Sequence, residues 1–176
     1  MTSAADTDPS APHDVLVPAG RPIGEAAAWV GSACWAELRF HQVLTTWLAV
    51  EADGEHTQTW WAIRANRAEL AEIWHRRLPE LRELPRSGFV APSAGAVVDV
   101  FAQADALRDD ASSTDRLACA ARILAGLADG YRGRVGVAVG PADGPTAASL
   151  ARAIEVTEAD LARLGVEPDD PGPALP

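Results

Sequence analysis

The chain has 176 residues, a length typical of one domain, and 48% of them are hydrophobic, which excludes a wholly disordered protein. Its 15 basic residues are outnumbered by 25 acidic residues, so the net charge is −10 and neither nucleic acid nor an anionic membrane is an expected partner. Two cysteines, Cys34 and Cys119, are too few for a disulfide framework, and no apolar run is long enough to span a membrane. We therefore expect a soluble, cytoplasmic protein.

The two ends of the chain differ in composition from the region between them. Residues 1–21 mix serine, aspartate, proline and glycine without periodicity, and residues 165–176 are rich in proline and acidic side chains. Such segments bury too little apolar surface to fold by themselves. The sequence thus predicts one helical domain over residues 22–164, flanked by a flexible N-terminal tail and a flexible C-terminal tail.

Between the tails, apolar residues recur with the spacing of amphipathic helices. Gly and Pro residues mark the helix ends, and Thr114 or Asp115 is a suitable N-cap for the third long helix. The one β-branched run, residues 135–139, leaves a strand open as an alternative there. The predicted long helices cover about 24–52, 56–78, 114–139 and 145–164, and a shorter helix covers about 94–107.

The lengths of the connections predict how these helices are arranged. The first and second long helices are joined by about three residues, and a tight turn joins the third and fourth, so each pair is expected to form an antiparallel hairpin. The middle connection, with its short helix, is long enough to cross the whole domain. We predict an all-α fold, a ferritin-like four-helix bundle of two hairpins joined by a long crossover.

Two charged residues fall on helix faces that are otherwise apolar. Glu37 lies near the centre of the apolar stripe of the first helix, and Arg67 lies in the middle of the stripe of the second. A buried carboxylate without a partner costs several kcal/mol. The planar guanidinium of arginine matches a carboxylate well, so we expect Glu37 and Arg67 to meet inside the bundle.

Three other polar residues complete the predicted buried polar centre. His41 follows Glu37 by one helical turn, Tyr131 is the inward polar residue of the third helix, and Glu158 lies at the margin of the stripe on the fourth. The hydroxyl of Tyr131 has three candidate partners: Glu37, His41 or a backbone carbonyl. We expect His41 to be a hydrogen-bonded interior histidine, with a metal ligand as the alternative. Glu158 either turns inward toward Arg67 or lies at the surface. The predicted centre comprises Glu37, His41, Arg67, Tyr131 and Glu158.

Two pairs of residues have the spacing of metal ligands on a helix but not the expected orientation. Glu72 and His75 have the Glu-x-x-His spacing of bundle metal sites, yet both project away from the apolar stripe. Glu155 and Glu158 have the same spacing without a histidine. We therefore predict no metal. If the helices were rotated so that a metal bound, its ligands would come from Glu37, His41, Glu72, His75, Glu155 and Glu158.

Across residues 24–164 the chain resembles the ferritin-like superfamily, and most closely its alanine-rich actinobacterial members of unassigned function. The resemblance rests on the segment ACWAELRFH with Glu37, the two-hairpin layout, and the segments ADGYR and ADGPTAASLARAIEVTEADLARL. Di-iron members carry a glutamate on the first helix and Glu-x-x-His on the second. Glu37 matches, but Arg67 and Leu70 stand where the second helix would supply ligands. The resemblance therefore implies the fold, with the di-metal ligand set largely lost.

Three functions follow as hypotheses. The first is a binding or scaffolding module without a cofactor, in which Glu37 and Arg67 replace a metal centre. The second is a carboxylate-bridged oxidase or hydroxylase with iron or manganese. The third is a small-molecule-binding protein that uses the six tryptophans, all on the first two helices.

Two of these tryptophans also predict self-association. Trp35 and Trp61 fall on the outer faces of the first hairpin, and large exposed aromatic rings mark contact sites. We expect a homodimer built on this hairpin, with Trp35 near the two-fold axis. The alternative is that the segment 89–101 folds over the rings and keeps the protein monomeric.

Overall fold

The computed structural model describes residues 23–80, 82, 84–109, 111–137, 144–165 and 174–175. Within these ranges the regular structure is helical and contains no strand, so the all-α prediction is confirmed. The predicted N-terminal tail lies outside the described residues. The helices are α1 (Ile23–Leu48), α2 (Gly54–Arg77), α3 (Gly95–Ala106), α4 (Ser113–Arg134) and α5 (Gly144–Leu164), with a 3₁₀ turn at Arg86–Phe89.

The helix ends follow local capping chemistry. Asp53 accepts hydrogen bonds from the backbone N–H groups of Glu55 and His56 and so begins α2. The side chains of Ser112 and Asp115 form a capping box, which starts α4 slightly before the predicted position. Gly136 has a positive φ of 83°, a conformation that glycine adopts without steric cost, and α4 ends just before it. Residues 135–137 form a turn, and the rest of the candidate strand lies outside the described residues.

Helices α1 and α2 form an antiparallel hairpin, as the short connection predicts. The Trp29 and Trp74 rings meet at one end with centroids 5.2 Å apart, and the indole N–H of Trp60 donates to Glu51 at the other end. Helix α4 packs against α5, and α5 also packs against α2. The connection between α2 and α4 contains the 3₁₀ turn and α3, both of which contact α1.

Helix α3 covers a part of α1 that the sequence predicts to be on the outer face of the hairpin. Phe101 packs edge to face against Trp35, with centroids 5.5 Å apart, and the indole N–H of Trp47 donates to the carbonyl of Ala104. Trp35 is therefore half-buried within its own chain. The expected place of Trp35 at a two-fold axis is not supported. The middle connection covers this ring instead, through Phe101.

Tryptophan side chains supply much of the core. Trp47, Trp60 and Trp74 are fully buried, and each packs against another aromatic ring. Both cysteines are buried and free, as small core residues. No helix among the described residues is both long and apolar enough to cross a membrane.

Candidate functional site

An ion pair lies in the interior between α1 and α2. Arg67 and Glu37 side chains are both 0% exposed, and the Nη1 of Arg67 donates to the two carboxylate oxygens of Glu37 at 3.3 and 3.1 Å. The apolar stripes of α1 and α2 face each other in the antiparallel hairpin. The expected contact between these two residues is present.

Helix α5 adds two further partners that the sequence analysis missed. Thr157 accepts from the Nη1 of Arg67 at 3.1 Å, and the fully buried Asp160 accepts from its Nη2 at 2.8 Å. The amide of Asn66 donates to the other carboxylate oxygen of Asp160 at 2.7 Å. One guanidinium thus joins a carboxylate on α1 to a carboxylate on α5.

Tyr131 brings α4 into the same cluster. Its hydroxyl donates to Oε1 of Glu37 at 2.6 Å, which decides among the partners that the sequence left open. The ring is fully buried and packs against Trp74, with centroids 5.6 Å apart. All four long helices therefore contribute a side chain to this network, which we call the Arg67 cluster: Glu37, Asn66, Arg67, Tyr131, Thr157 and Asp160.

The electrostatics of the Arg67 cluster follow from its burial. Loss of hydration raises the pKa of Glu37, although the charge of Arg67 and the hydrogen bond from Tyr131 act in the opposite direction. Burial disfavours the charged form of Arg67, but Glu37 and Asp160 outweigh that effect and raise its pKa. The pKa of Tyr131 is raised well above its ordinary value by burial and by the charge of Glu37. Arg67 therefore stays cationic and Tyr131 stays protonated.

Two of the predicted members lie elsewhere. His41 is half-buried at the edge of α1, where burial and the charge of Arg64 lower its pKa, so it does not belong to the buried centre. The side chain of Glu158 is 46% exposed and pairs with Arg132 on α4. Both predictions of a buried position are wrong, because His41 lies at the margin of the buried face of α1 and Glu158 lies on the exposed side of α5.

The remaining candidate metal ligands are dispersed over the surface. Glu72 is exposed and pairs with Arg76, one turn further along the same helix. Glu155 is exposed and pairs with Arg152 on the same helix. His75 is half-buried on α2. Among the described residues, no three His, Cys, Asp or Glu side chains are grouped as metal ligands.

The Arg67 cluster itself does not fit a metal ion. Both oxygens of Glu37 and both oxygens of Asp160 already accept hydrogen bonds from protein donors. The Nε of Arg67 is buried with no acceptor among the described residues. Because the Arg67 guanidinium lies between the two carboxylates, a metal ion bridging Glu37 and Asp160 would have to displace it.

A second polar cluster joins the α1–α2 turn to the start of α4. Glu51 accepts hydrogen bonds from the hydroxyl of Ser113 at 2.8 Å and from the backbone N–H of Asp53 at 3.1 Å. Arg116 lies 3.8 Å from the Glu51 carboxylate and donates to the carbonyls of Leu107 and Arg108. These contacts fix the middle connection against the hairpin and have no evident chemical role.

One aromatic ring of the α1–α2 hairpin is exposed. The Trp61 ring is 56% exposed, and the guanidinium of Arg64 lies 4.6 Å from its centroid. Leu38, on the neighbouring helix, is 41% exposed. We call this surface the hairpin outer face: Leu38, Gln42, Trp61, Ala65 and Ala68, all exposed and none of them charged.

Comparison with known proteins identifies no relative. The chain matches no family model, and no curated protein or solved structure matches it.

Proposed function

We propose that this protein is a binding or scaffolding module that works without a metal, and that Arg67 takes the central place that a di-metal centre holds in ferritin-like proteins. The observation that carries the proposal is the bridge from Glu37 through the guanidinium to Asp160. An arginine that is fully buried between two carboxylates compensates part of their negative charge, as a bound cation would. The protein thus retains a charged centre without the open coordination positions that metal catalysis requires.

The proposal includes a ferritin-like arrangement of α1, α2, α4 and α5, with α3 in the crossover. Two packed helix pairs and a long middle connection support that arrangement. In this arrangement the Arg67 cluster stabilises the contacts among the four helices, and binding takes place at the outer surface. The packing of the tryptophans against other rings gives no specific support to an internal small-molecule site.

The thermal stability of the chain in added metal tests this proposal. A ligand that binds the native state at about one hundred times its dissociation constant stabilises it by about 2.7 kcal/mol. We expect Fe(II), Mn(II) and Zn(II) to cause no saturable rise in Tm. A saturable rise that is lost in Glu37→Gln but kept in the surface variant Glu72→Gln would contradict the proposal and favour the di-metal oxidase.

A specific observation also supports self-association as the scaffolding activity. The hairpin outer face exposes Trp61 and Leu38, and none of its five residues is charged, in a chain whose net charge is −10. Two copies that meet there would bury aromatic surface, which is enriched at interfaces. We propose that this face, not Trp35, forms the dimer contact.

Sedimentation at micromolar concentration tests the dimer. Trp61→Glu should convert the dimer to a monomer, because it places a charge at the centre of the contact. Val98→Glu, which alters an exposed apolar residue on α3, is the matched control and should leave the dimer intact. A wild-type chain that sediments as a monomer would refute the contact and leave the metal-free proposal standing.

A further inference from the structure

Helix α4 is buried on all sides in its middle. From Cys119 to Ala128 every residue is buried except Arg122, which is half-buried. A surface helix of a small domain normally keeps one polar face in water. Something other than one neighbouring helix must therefore cover part of α4.

Part of that cover comes from Leu175, which lies far along the chain from α4. Leu175 is 1% exposed and belongs to the hydrophobic core, and its backbone N–H donates to the carbonyl of Gly126 at 2.8 Å. Glycine has no side chain, so another main chain can approach its carbonyl closely. The expectation that residues 165–176 form a tail without contacts is wrong for Leu175.

The manner of binding resembles peptide recognition more than core packing. The sequence around the contact is Pro173, Ala174, Leu175, Pro176. Proline has no N–H and restricts the backbone, so a proline-flanked sequence disfavours both a helix interior and a full strand ladder. The contact consists of the buried Leu175 side chain and of the Leu175 N–H, which donates to Gly126 on α4. Proline-flanked extended segments bind grooves in this way, at low entropic cost.

We propose that the surface of α4 at Gly126 is a peptide-binding site for an extended, proline-flanked segment carrying a leucine. Leu175 occupies it as an internal ligand, and a segment of the same chemistry on another protein chain competes with it. This inference rests on the proposed function as a binding module and names its partner chemistry. It does not depend on the hairpin outer face or on the absence of metal.

Fluorescence anisotropy with a labelled peptide of residues 166–176 tests the site. The full-length Leu175→Ala variant removes the internal anchor, so we expect it to bind the peptide saturably. The wild-type chain should bind at least about tenfold more weakly, because a tethered segment competes at a high effective concentration. A peptide with Leu175→Ala is the matched control and should not bind to either chain.

Two results would overturn the proposal: a folded Leu175→Ala variant that does not bind the peptide, or equal binding by the variant and the wild type. If the variant fails to fold, amide hydrogen exchange in the unmodified chain decides the question. A displaceable segment opens without global unfolding, so the Leu175 amide should exchange at least about tenfold faster than those of Ile123 and Leu124. Exchange of all three at the same rate would show that Leu175 is a permanent part of the core and would overturn the proposal. The metal and sedimentation results stand in either case.

Discussion

Replacement of Arg67 by methionine removes the one cation of the Arg67 cluster while keeping a long side chain in place. Two carboxylates, on Glu37 and Asp160, would then lie in the interior with no guanidinium between them. Breaking a buried ion pair by removing one partner costs about 3–5 kcal/mol. For a chain of this size each kcal/mol lowers Tm by about 2–4 °C, so we expect Arg67→Met to lower Tm by about 6–20 °C.

Urea unfolding and thermal unfolding followed by circular dichroism measure this loss. The matched control is Arg152→Met, which breaks an exposed pair with Glu69 and should change stability little, because solvent screens exposed ion pairs. A triple variant with Glu37→Leu, Arg67→Met and Asp160→Leu should recover much of the lost stability, because no unpaired charge remains in the interior. The reasoning is refuted if Arg67→Met loses no more stability than Arg152→Met.

Two further predictions concern other parts of the fold. A Cβ at Gly31 would collide with the carbonyl oxygen of Phe89, so Gly31→Ala should lower the free energy of unfolding in urea by about 1–3 kcal/mol. Gly24→Ala is the control, because the space around Gly24 is open, and it should not destabilise the protein. Equal costs for the two variants would contradict the close packing at Gly31. Burial of Glu51 acts to raise its pKa, but hydrogen bonds from Asp53, Ser113 and Trp60 outweigh it and lower the pKa. The stability that Glu51 contributes is thus present above its ordinary pKa of 4.5 and is lost as pH falls through the lowered folded-state pKa. The free energy of unfolding should therefore fall less steeply with decreasing pH in Glu51→Gln than in the wild type. An unchanged slope would count against the assignment.

The part of the site on α1 and α2 could be predicted because each helix carries one charged residue in an otherwise apolar stripe. Glu37 and Arg67 interrupt runs of large apolar residues, and a charge at such a position has few explanations other than a buried partner of opposite sign. The all-α class followed equally from long helical periodicity without strand signals. Which group Tyr131 would contact could not be deduced, since a hydroxyl can bond to many acceptors.

The contribution of α5 could not be predicted because its apolar residues point in two directions. The large apolar residues Ile154 and Leu161 are only half-buried, while the buried face runs through Ala153, Thr157 and Asp160. Small and polar residues carry little periodic signal, so the orientation of the helix follows from its hydrogen bonds to Arg67. One clue was available: a lone buried guanidinium has more donors than Glu37 alone can satisfy, which calls for a second acceptor.

Leu175 was missed for a related reason. A single leucine among prolines and acids has no periodicity, and the composition of the segment is that of an unfolded tail. Its hydrogen-bond partner is the carbonyl of Gly126 on α4, which lies about 50 residues earlier in the chain. Long-range contacts of one residue with one backbone atom leave no pattern in the sequence.

Elemental analysis of the chain, purified without chelator, tests the central claim most directly. If Arg67 supplies the positive charge of the centre, the protein should contain iron, manganese and zinc well below one equivalent per chain. One or more equivalents of iron or manganese, lost in Glu37→Gln and retained in Glu72→Gln, would show that the carboxylates hold a metal and would contradict the account.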